Sequence, residues 1–212
     1  MAVTLGVLIS GRGSNLQAIA HAIEARELDA SIGVVVSNRP EAAGLSFAAG
    51  RGIPAVVLPH GDFASRSAYD QALVGELRSR GVTLVCLAGF MRLLGPDFCA
   101  AFPEAVLNIH PSLLPAFPGV DAQRQALEYG VKVSGATVHF VTPELDAGPI
   151  VLQAAVPVEA GDTEQSLSAR ILETEHRLYP AAIARIIAGG WRIAGRRVVF
   201  DDRLTGPMAR QV

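Results

Sequence analysis

The segment Asn108-Ile109-His110-Pro111-Ser112-Leu113-Leu114-Pro115 marks the end of a strand. An apolar run precedes it, and its two prolines fit neither a helix interior nor a central strand. Residues two apart on an extended backbone point to the same side, so the Asn108 amide and the His110 imidazole are expected roughly 7 Å apart on one face. An amide can stabilise a developing oxyanion and an imidazole can transfer a proton near neutral pH, so the pair suits attack on a carbonyl. Judged on these residues alone, the motif is explained at least as well by a structural role as by a catalytic one. Asn can bond its own backbone and Pro blocks further strand pairing, so together they end a strand.

The chain before this segment alternates apolar runs with stretches of helical periodicity, which predicts an α/β fold with a doubly wound, mostly parallel sheet. Apolar runs rich in branched residues, such as residues 3–9, are typical of parallel strands covered on both faces. We expect Ser14 or Asn15 to cap the first helix. The further predicted strands are residues 31–37, 55–58, 82–88 and 105–109, and the further helices are residues 42–51, 65–80 and 96–101.

The pattern changes after residue 115, where two strands are predicted at residues 133–141 and 150–156. Their connection is too short for a crossover helix, so they are expected to be antiparallel. Helices are predicted over residues 122–129 and 163–188. We expect a single domain over residues 1–212, with a small C-terminal hairpin and tail over residues 191–212.

Composition limits the classes of function. A chain of 212 residues with 50% hydrophobic residues can bury one substantial core, and its net charge of -2 argues against a nucleic-acid partner. Cys86 and Cys99 lie in apolar surroundings without metal or redox spacing, so we expect reduced thiols, a cytoplasmic location and no bound metal. No apolar stretch approaches the roughly 20 residues of a membrane span, so no membrane association is expected.

A glycine loop, Gly11-Arg12-Gly13-Ser14-Asn15, joins the first strand to the first helix. It matches only the start of a dinucleotide fingerprint, because Leu16 stands where a third glycine belongs and the second strand ends in Ser37-Asn38-Arg39 instead of an acidic residue. The amides of Gly13, Ser14 and Asn15 at a helix start suit a single phosphate. A tight turn with a helix cap is the structural alternative.

Three further positions carry candidate chemistry. Asp146 could orient His110, raise its pKa and hold a water, although a turn aspartate is the commoner meaning of such a residue. Glu175 leans towards the apolar side of the last helix and needs a cation, either an arginine or a substrate amine. Residues 88–95 leave the carboxyl end of a central strand, where open α/β sheets bind ligands, and their apolar side chains belong either to the core or to a flat slot for an aromatic ligand. His139, in the middle of a strand, is interpreted as structural.

With these motifs the chain resembles the phosphoribosylglycinamide formyltransferases, the folate-dependent enzymes of purine synthesis. The resemblance runs from Ile9-Ser10-Gly11-Arg12-Gly13-Ser14-Asn15 through Gly89-Phe90-Met91-Arg92 and the Asn108 to Pro115 segment to Leu145-Asp146-Ala147-Gly148-Pro149. It implies the formyltransferase fold and transfer of a formyl group from 10-formyltetrahydrofolate, without a metal, to the amine of 5'-phosphoribosylglycinamide, the third step of purine synthesis. Small-molecule substrates and a monomer or homodimer are expected. The resemblance implies these site residues: Asn108, His110 and Asp146 for catalysis, Gly13, Ser14, Asn15 and Glu175 for the substrate, and Arg66, Met91, Arg92, Leu93, Leu94 and Asn108 for the folate.

Other functions remain open from the sequence. A formyltetrahydrofolate hydrolase shares the chemistry but usually carries an extra N-terminal regulatory domain, and a methionyl-tRNA formyltransferase would need an added C-terminal domain and a basic surface. The partial glycine fingerprint also keeps a non-catalytic nucleotide-binding module in view.

Overall fold

A computed structural model describes residues 3–201, so the predicted tail beyond residue 201 lies outside the described residues. Within this range the strands and helices follow the predicted alternation closely. The strands are β1 (Val3–Ile9), β2 (Ala30–Ser37), β3 (Ala55–Val57), β4 (Leu84–Leu87), β5 (Val106–His110), β6 (Val133–Phe140), β7 (Ile150–Pro157), β8 (Trp191–Ala194) and β9 (Arg197–Phe200). The α-helices are α1 (Ser14–Glu24), α2 (Ala43–Gly50), α3 (Arg66–Ser79), α4 (Pro96–Ala101), α5 (Ala122–Tyr129) and α6 (Glu164–Ile187), and a short 3-10 helix covers His60–Asp62.

All these strands form one sheet in the order β3-β2-β1-β4-β5-β6-β7-β9-β8. The five strands from β3 to β5 are parallel, which confirms the predicted doubly wound, mostly parallel sheet. Strand β6 is antiparallel to β5, and β7 is antiparallel to β6, as the short connection between them predicts. The hairpin of β8 and β9 extends the sheet through a parallel contact between β9 and β7.

The two faces of the sheet carry separate hydrophobic clusters, because alternate residues of each buried strand point to opposite sides. One cluster joins the sheet to α1 and α6, and the other joins it to α3 and α4. Tyr179 of α6 is fully buried, and its hydroxyl donates to the carbonyl oxygens of Leu87 and Leu107, at 3.1 and 3.0 Å. This contact fixes the carboxyl ends of β4 and β5 relative to each other, one residue before Asn108 in β5 and directly before Ala88 and Gly89, which follow β4.

The prediction that Ser14 or Asn15 caps α1 was wrong. Gly13 occupies the N-cap position with φ of 72°, and no side chain among the described residues caps the helix there. A Cβ atom on Gly13 would lie 2.8 Å from Gly44 Cα, so the glycine is required by the close approach of α2. The Asn15 amide instead donates to the Glu175 carboxylate at 2.7 Å.

Helix α6 begins within one residue of its predicted start and carries a side-chain cap. Thr163 and Ser166 form a reciprocal capping box at its N-terminus. Among residues 3–201, none of the helices combines the length and the apolar character that crossing a bilayer requires.

Candidate active site

The carboxyl end of β5 carries the predicted pair of polar side chains. Asn108 and His110 are two residues apart and share a face, and they pair across the antiparallel ladder with His139 and Thr137 of β6. The Thr137 hydroxyl donates to Ser112 O at 2.6 Å, which holds the start of the proline segment against β6. The strand therefore ends in a fixed geometry.

His110 is 4% exposed and contacts an oxygen at each ring nitrogen. Its Nδ1 atom lies 3.4 Å from Asp146 Oδ2, and its Nε2 atom lies 2.8 Å from Phe117 O. Both oxygens are acceptors, so the doubly protonated ring is the form that satisfies both contacts. The structure thus brings the Asp146 carboxylate beside the His110 ring, although 36 positions separate them in the sequence.

Asp146 lies in the loop between β6 and β7 with φ of 47°, a left-handed conformation that aspartate tolerates better than most residues. Its Oδ2 atom also accepts a hydrogen bond from the Gly119 backbone N–H at 2.8 Å. Its Oδ1 atom lies 3.7 Å from His139 Nε2. One carboxylate thus connects the loop after β5 with both histidines.

His139 is a buried histidine with a partner at each ring nitrogen, as the structural interpretation predicts, and it also contacts the candidate residues Asn108 and Asp146. It is 2% exposed, and its Nδ1 atom lies 2.9 Å from its neighbour's carbonyl, Phe140 O, to which it donates. The Nε2 atom is then the acceptor for the Asn108 amide at 3.1 Å. Burial lowers the pKa of His139, which favours the neutral ring that this contact needs. His139 contacts Asn108 because the two residues are paired in the β5–β6 ladder. The sequence pattern alone does not reveal this register.

A cavity of about 630 Å³ opens at the carboxyl ends of β1 and β4. Its walls include the whole glycine loop from Gly11 to Asn15, the exposed cations Arg12 and Arg39, and Glu175 from α6. The catalytic candidates do not line it. Ala88 and Gly89 do line it, and they follow Leu87, which pairs with Asn108 in the sheet, so the cavity adjoins the Asn108 and His110 pair.

Glu175 is 6% exposed at the edge of this cavity. Burial raises the pKa of its carboxyl to about 7, and the hydrogen bond from Asn15 partly offsets this increase. No arginine or lysine pairs with Glu175 in the part of the chain that the structure describes. Asn15 Oδ1 is buried and likewise has no hydrogen-bond partner there. These two acceptors are suited to a ligand that brings donors, such as an amine.

The predicted folate segment divides into exposed and buried residues. Met91 and Leu93 are 63% and 45% exposed, Arg92 is exposed, and Arg66 is exposed at the start of α3. Leu94 is 2% exposed and packs in the hydrophobic core, which leaves only its backbone for the predicted folate contact. Exposed apolar side chains with backbone polar groups between them fit one flat heteroaromatic ring.

Comparison with known proteins identifies the family. The formyl transferase family model matches residues 4–183. This chain belongs to the formyl transferase family. Among the members of this family, it is 48% identical over 201 residues to phosphoribosylglycinamide formyltransferase of Escherichia coli strain K12, with 95% of each chain covered. A crystal structure of glycinamide ribonucleotide transformylase 1 from Symbiobacterium toebii has a TM-score of 0.93 at 53% identity, covering 94% of this chain and 95% of that one.

Two further relatives are either much longer than this chain or less identical to it in sequence. The trifunctional purine biosynthetic protein adenosine-3 of Drosophila melanogaster is 48% identical over 187 residues, covering 87% of this chain, but the match spans only 14% of that longer protein. A formyltetrahydrofolate deformylase from Pseudomonas syringae is 28% identical with a TM-score of 0.87, and the match covers 95% of this chain and 67% of the deformylase. The formyl transferase family implies a folate-type co-substrate.

Proposed function

We propose that this protein transfers the formyl group of 10-formyltetrahydrofolate to the amine of 5'-phosphoribosylglycinamide. The observation that carries the proposal is the Asn108, His110 and Asp146 cluster, which adjoins a cavity lined by a glycine loop and by a buried carboxylate without a cationic partner among the described residues. The named relatives of similar length, from Escherichia coli and Symbiobacterium toebii, support the same activity.

The cavity lining suits two parts of the phosphorylated substrate, the phosphate and the amine. The backbone amides of Gly13, Ser14 and Asn15 lie at the N-terminus of α1, where they favour an anion, and Arg12 and Arg39 add positive charge beside them. Glu175 is the acceptor for the amine. Met91, Leu93 and Arg66 would hold the folate on the adjoining surface.

The folate supplies an activated formyl group, which the amine takes directly without a covalent bond to the protein. Asn108 has two amide hydrogens, of which one is directed to His139 and the second is left for the formyl oxygen, where negative charge develops. The protonated His110 ring, whose two N–H groups are directed to Asp146 and to Phe117 O, stabilises the same negative charge through its positive charge. Asp146 holds that ring and, through a water, passes the proton lost by the amine to the departing nitrogen. Binding both substrates in one cleft supplies much of the rate through orientation.

A folate hydrolase is the second candidate, because a deformylase shares the fold. Within residues 3–201, Glu175 has no cationic partner and Asn15 Oδ1 has no hydrogen-bond partner, and these two acceptors favour an amine substrate over water. The test is spectroscopic measurement of folate turnover by the purified protein, with and without phosphoribosylglycinamide. Turnover that requires the amine supports the transferase, and equal turnover without it identifies a hydrolase. Binding without turnover would leave a nucleotide-binding module.

A further inference from the structure

Ser10 joins the two halves of the candidate site. It follows β1 directly, is 7% exposed, and immediately precedes the glycine loop. Its backbone N–H donates to Gly89 O at 3.1 Å, and its hydroxyl accepts the Met91 backbone N–H at 2.7 Å. The residue before the proposed phosphate loop thus contacts the proposed folate segment at two points.

The Ser10 hydroxyl is held in one orientation. Its single hydrogen is donated to Asn38 Oδ1 at 2.6 Å, which leaves the oxygen lone pairs for the Met91 N–H. Asn38 is itself 3% exposed, and its amide nitrogen lies 3.4 Å from His60 Nδ1. A hydroxyl whose hydrogen is taken by the buried Asn38 and whose oxygen accepts the Met91 N–H is a precise support for that backbone amide.

The opposite end of the same segment is fixed by another element. The Gly95 N–H donates to Asp70 Oδ2 of α3 at 2.7 Å. Residues 89–95 are therefore held at both ends, whereas Met91 and Leu93 between them expose their side chains. Of these two contacts, the one with Ser10 comes from the residue directly before the glycine loop, whereas the one with Asp70 comes from α3. The Ser10 contact therefore links the proposed folate segment directly to the proposed phosphate loop.

We infer that Ser10 is a positioning residue that sets the Met91 to Leu93 surface at a fixed distance from the glycine loop. Ser10 and Met91 both line the cavity that the glycine loop borders. The inference rests on the proposed function, since it assigns the folate to the Met91 to Leu93 surface and the phosphorylated amine to the glycine loop. It does not require Ser10 to touch either substrate.

The test compares Ser10→Ala with Ser37→Ala. Ser37 is also buried at the end of a parallel strand, and its hydroxyl also bonds backbone groups, but these belong to Arg39 and not to the folate segment. The measurements are calorimetric affinities for tetrahydrofolate and for phosphoribosylglycinamide, each alone, together with thermal melting and with KM and kcat for both substrates.

Ser10→Ala is expected to weaken tetrahydrofolate binding about tenfold, the effect of losing the hydrogen bond that holds the Met91 N–H. The affinity for phosphoribosylglycinamide should stay near the wild-type value, because the loop amides remain. Ser37→Ala should lower the melting temperature by about as much as Ser10→Ala does, and it should leave the folate affinity unchanged. Ser10→Thr, which restores the hydroxyl, should recover most of the folate affinity, and Asn38→Ala should weaken it in the same direction as Ser10→Ala.

Unchanged folate affinity in both Ser10→Ala and Asn38→Ala, with wild-type formyl transfer intact, would overturn the inference and leave the proposed function standing. A wild-type protein that binds tetrahydrofolate but transfers no formyl group would instead overturn the proposed function, while the folate affinities still test Ser10.

Discussion

Replacing His139 by leucine tests whether a buried histidine orients the amide that is proposed to stabilise the oxyanion. The change removes the Nε2 acceptor 3.1 Å from Asn108 Nδ2, at a position with 2% exposure. A fully buried amide hydrogen left without a partner costs about 1–3 kcal/mol, and Asn108 is half-buried, so the free energy of unfolding should fall by up to that amount. The Asn108 side chain can then rotate away from the position that the formyl oxygen occupies.

The kinetic consequence has an upper limit set by the complete loss of one oxyanion donor, about 100- to 1,000-fold in kcat. His139→Leu should therefore lower kcat by between about tenfold and that limit, with little change in KM, since His139 contacts Asn108 from the neighbouring strand and does not line the cavity. Steady-state kinetics and urea unfolding of the same preparations give both quantities.

A double-mutant cycle separates this role from a general loss of packing. If His139 acts through Asn108, then His139→Leu should cost almost nothing in kcat when it is added to Asn108→Ala. Fully additive losses in kcat would refute the reasoning, because they would show that His139 contributes by a route that does not include the amide.

Three further predictions follow from buried polar groups. Asp146→Asn should lower kcat by about 100-fold or more without unfolding the protein, and near-normal turnover of the purified variant would remove Asp146 from the proton pathway. The folded-state pKa of Glu175 is raised from 4.5 to about 7, so the folded protein binds more protons than the unfolded chain between these values and loses stability as pH rises through them, by up to about 3 kcal/mol. Glu175→Gln should abolish this fall, which urea unfolding at pH 4.5 and pH 7.5 would detect, and an identical pH dependence in the variant would contradict the assignment. Ser134 is 1% exposed and its hydroxyl has no hydrogen-bond partner within residues 3–201, so Ser134→Ala should keep or raise the melting temperature, and a clear decrease would show that the hydroxyl has a partner.

The sequence predicted the sheet well because apolar runs and helical periodicity are local signals. It also predicted that Asn108 and His110 share a face, because that depends only on an extended backbone. The capping of α1 was not predictable in the same way. Asn15 has the right chemistry for a cap, but its amide instead contacts Glu175, which lies 160 positions further along the chain.

The role of His139 required information that no local pattern contains. A histidine in the middle of a strand looks structural until the register of β6 against β5 is known, and a shift of one residue would turn it to the other face of the sheet. For Leu94 the sequence pattern failed to predict whether the side chain is buried. Its apolar neighbours Met91 and Leu93 are exposed, while Leu94 is in the core, and the sequence of the segment did not distinguish them.

The reversal of chain direction at β6 explains how Asp146 reaches His110. Open parallel sheets bind ligands beyond the carboxyl ends of their strands, but β6 runs away from that edge, so its following loop starts at the level of Leu107. The loop must therefore fold back over the face of the sheet. Gly148 permits this, because its Cα packs so closely on the Phe140 carbonyl that a Cβ atom there would overlap the oxygen, and Phe140 N–H donates to Pro149 O at 2.9 Å. The position of the carboxylate beside both histidines thus depends on a glycine two residues after it, which ties the chemistry of the site to the packing of a loop.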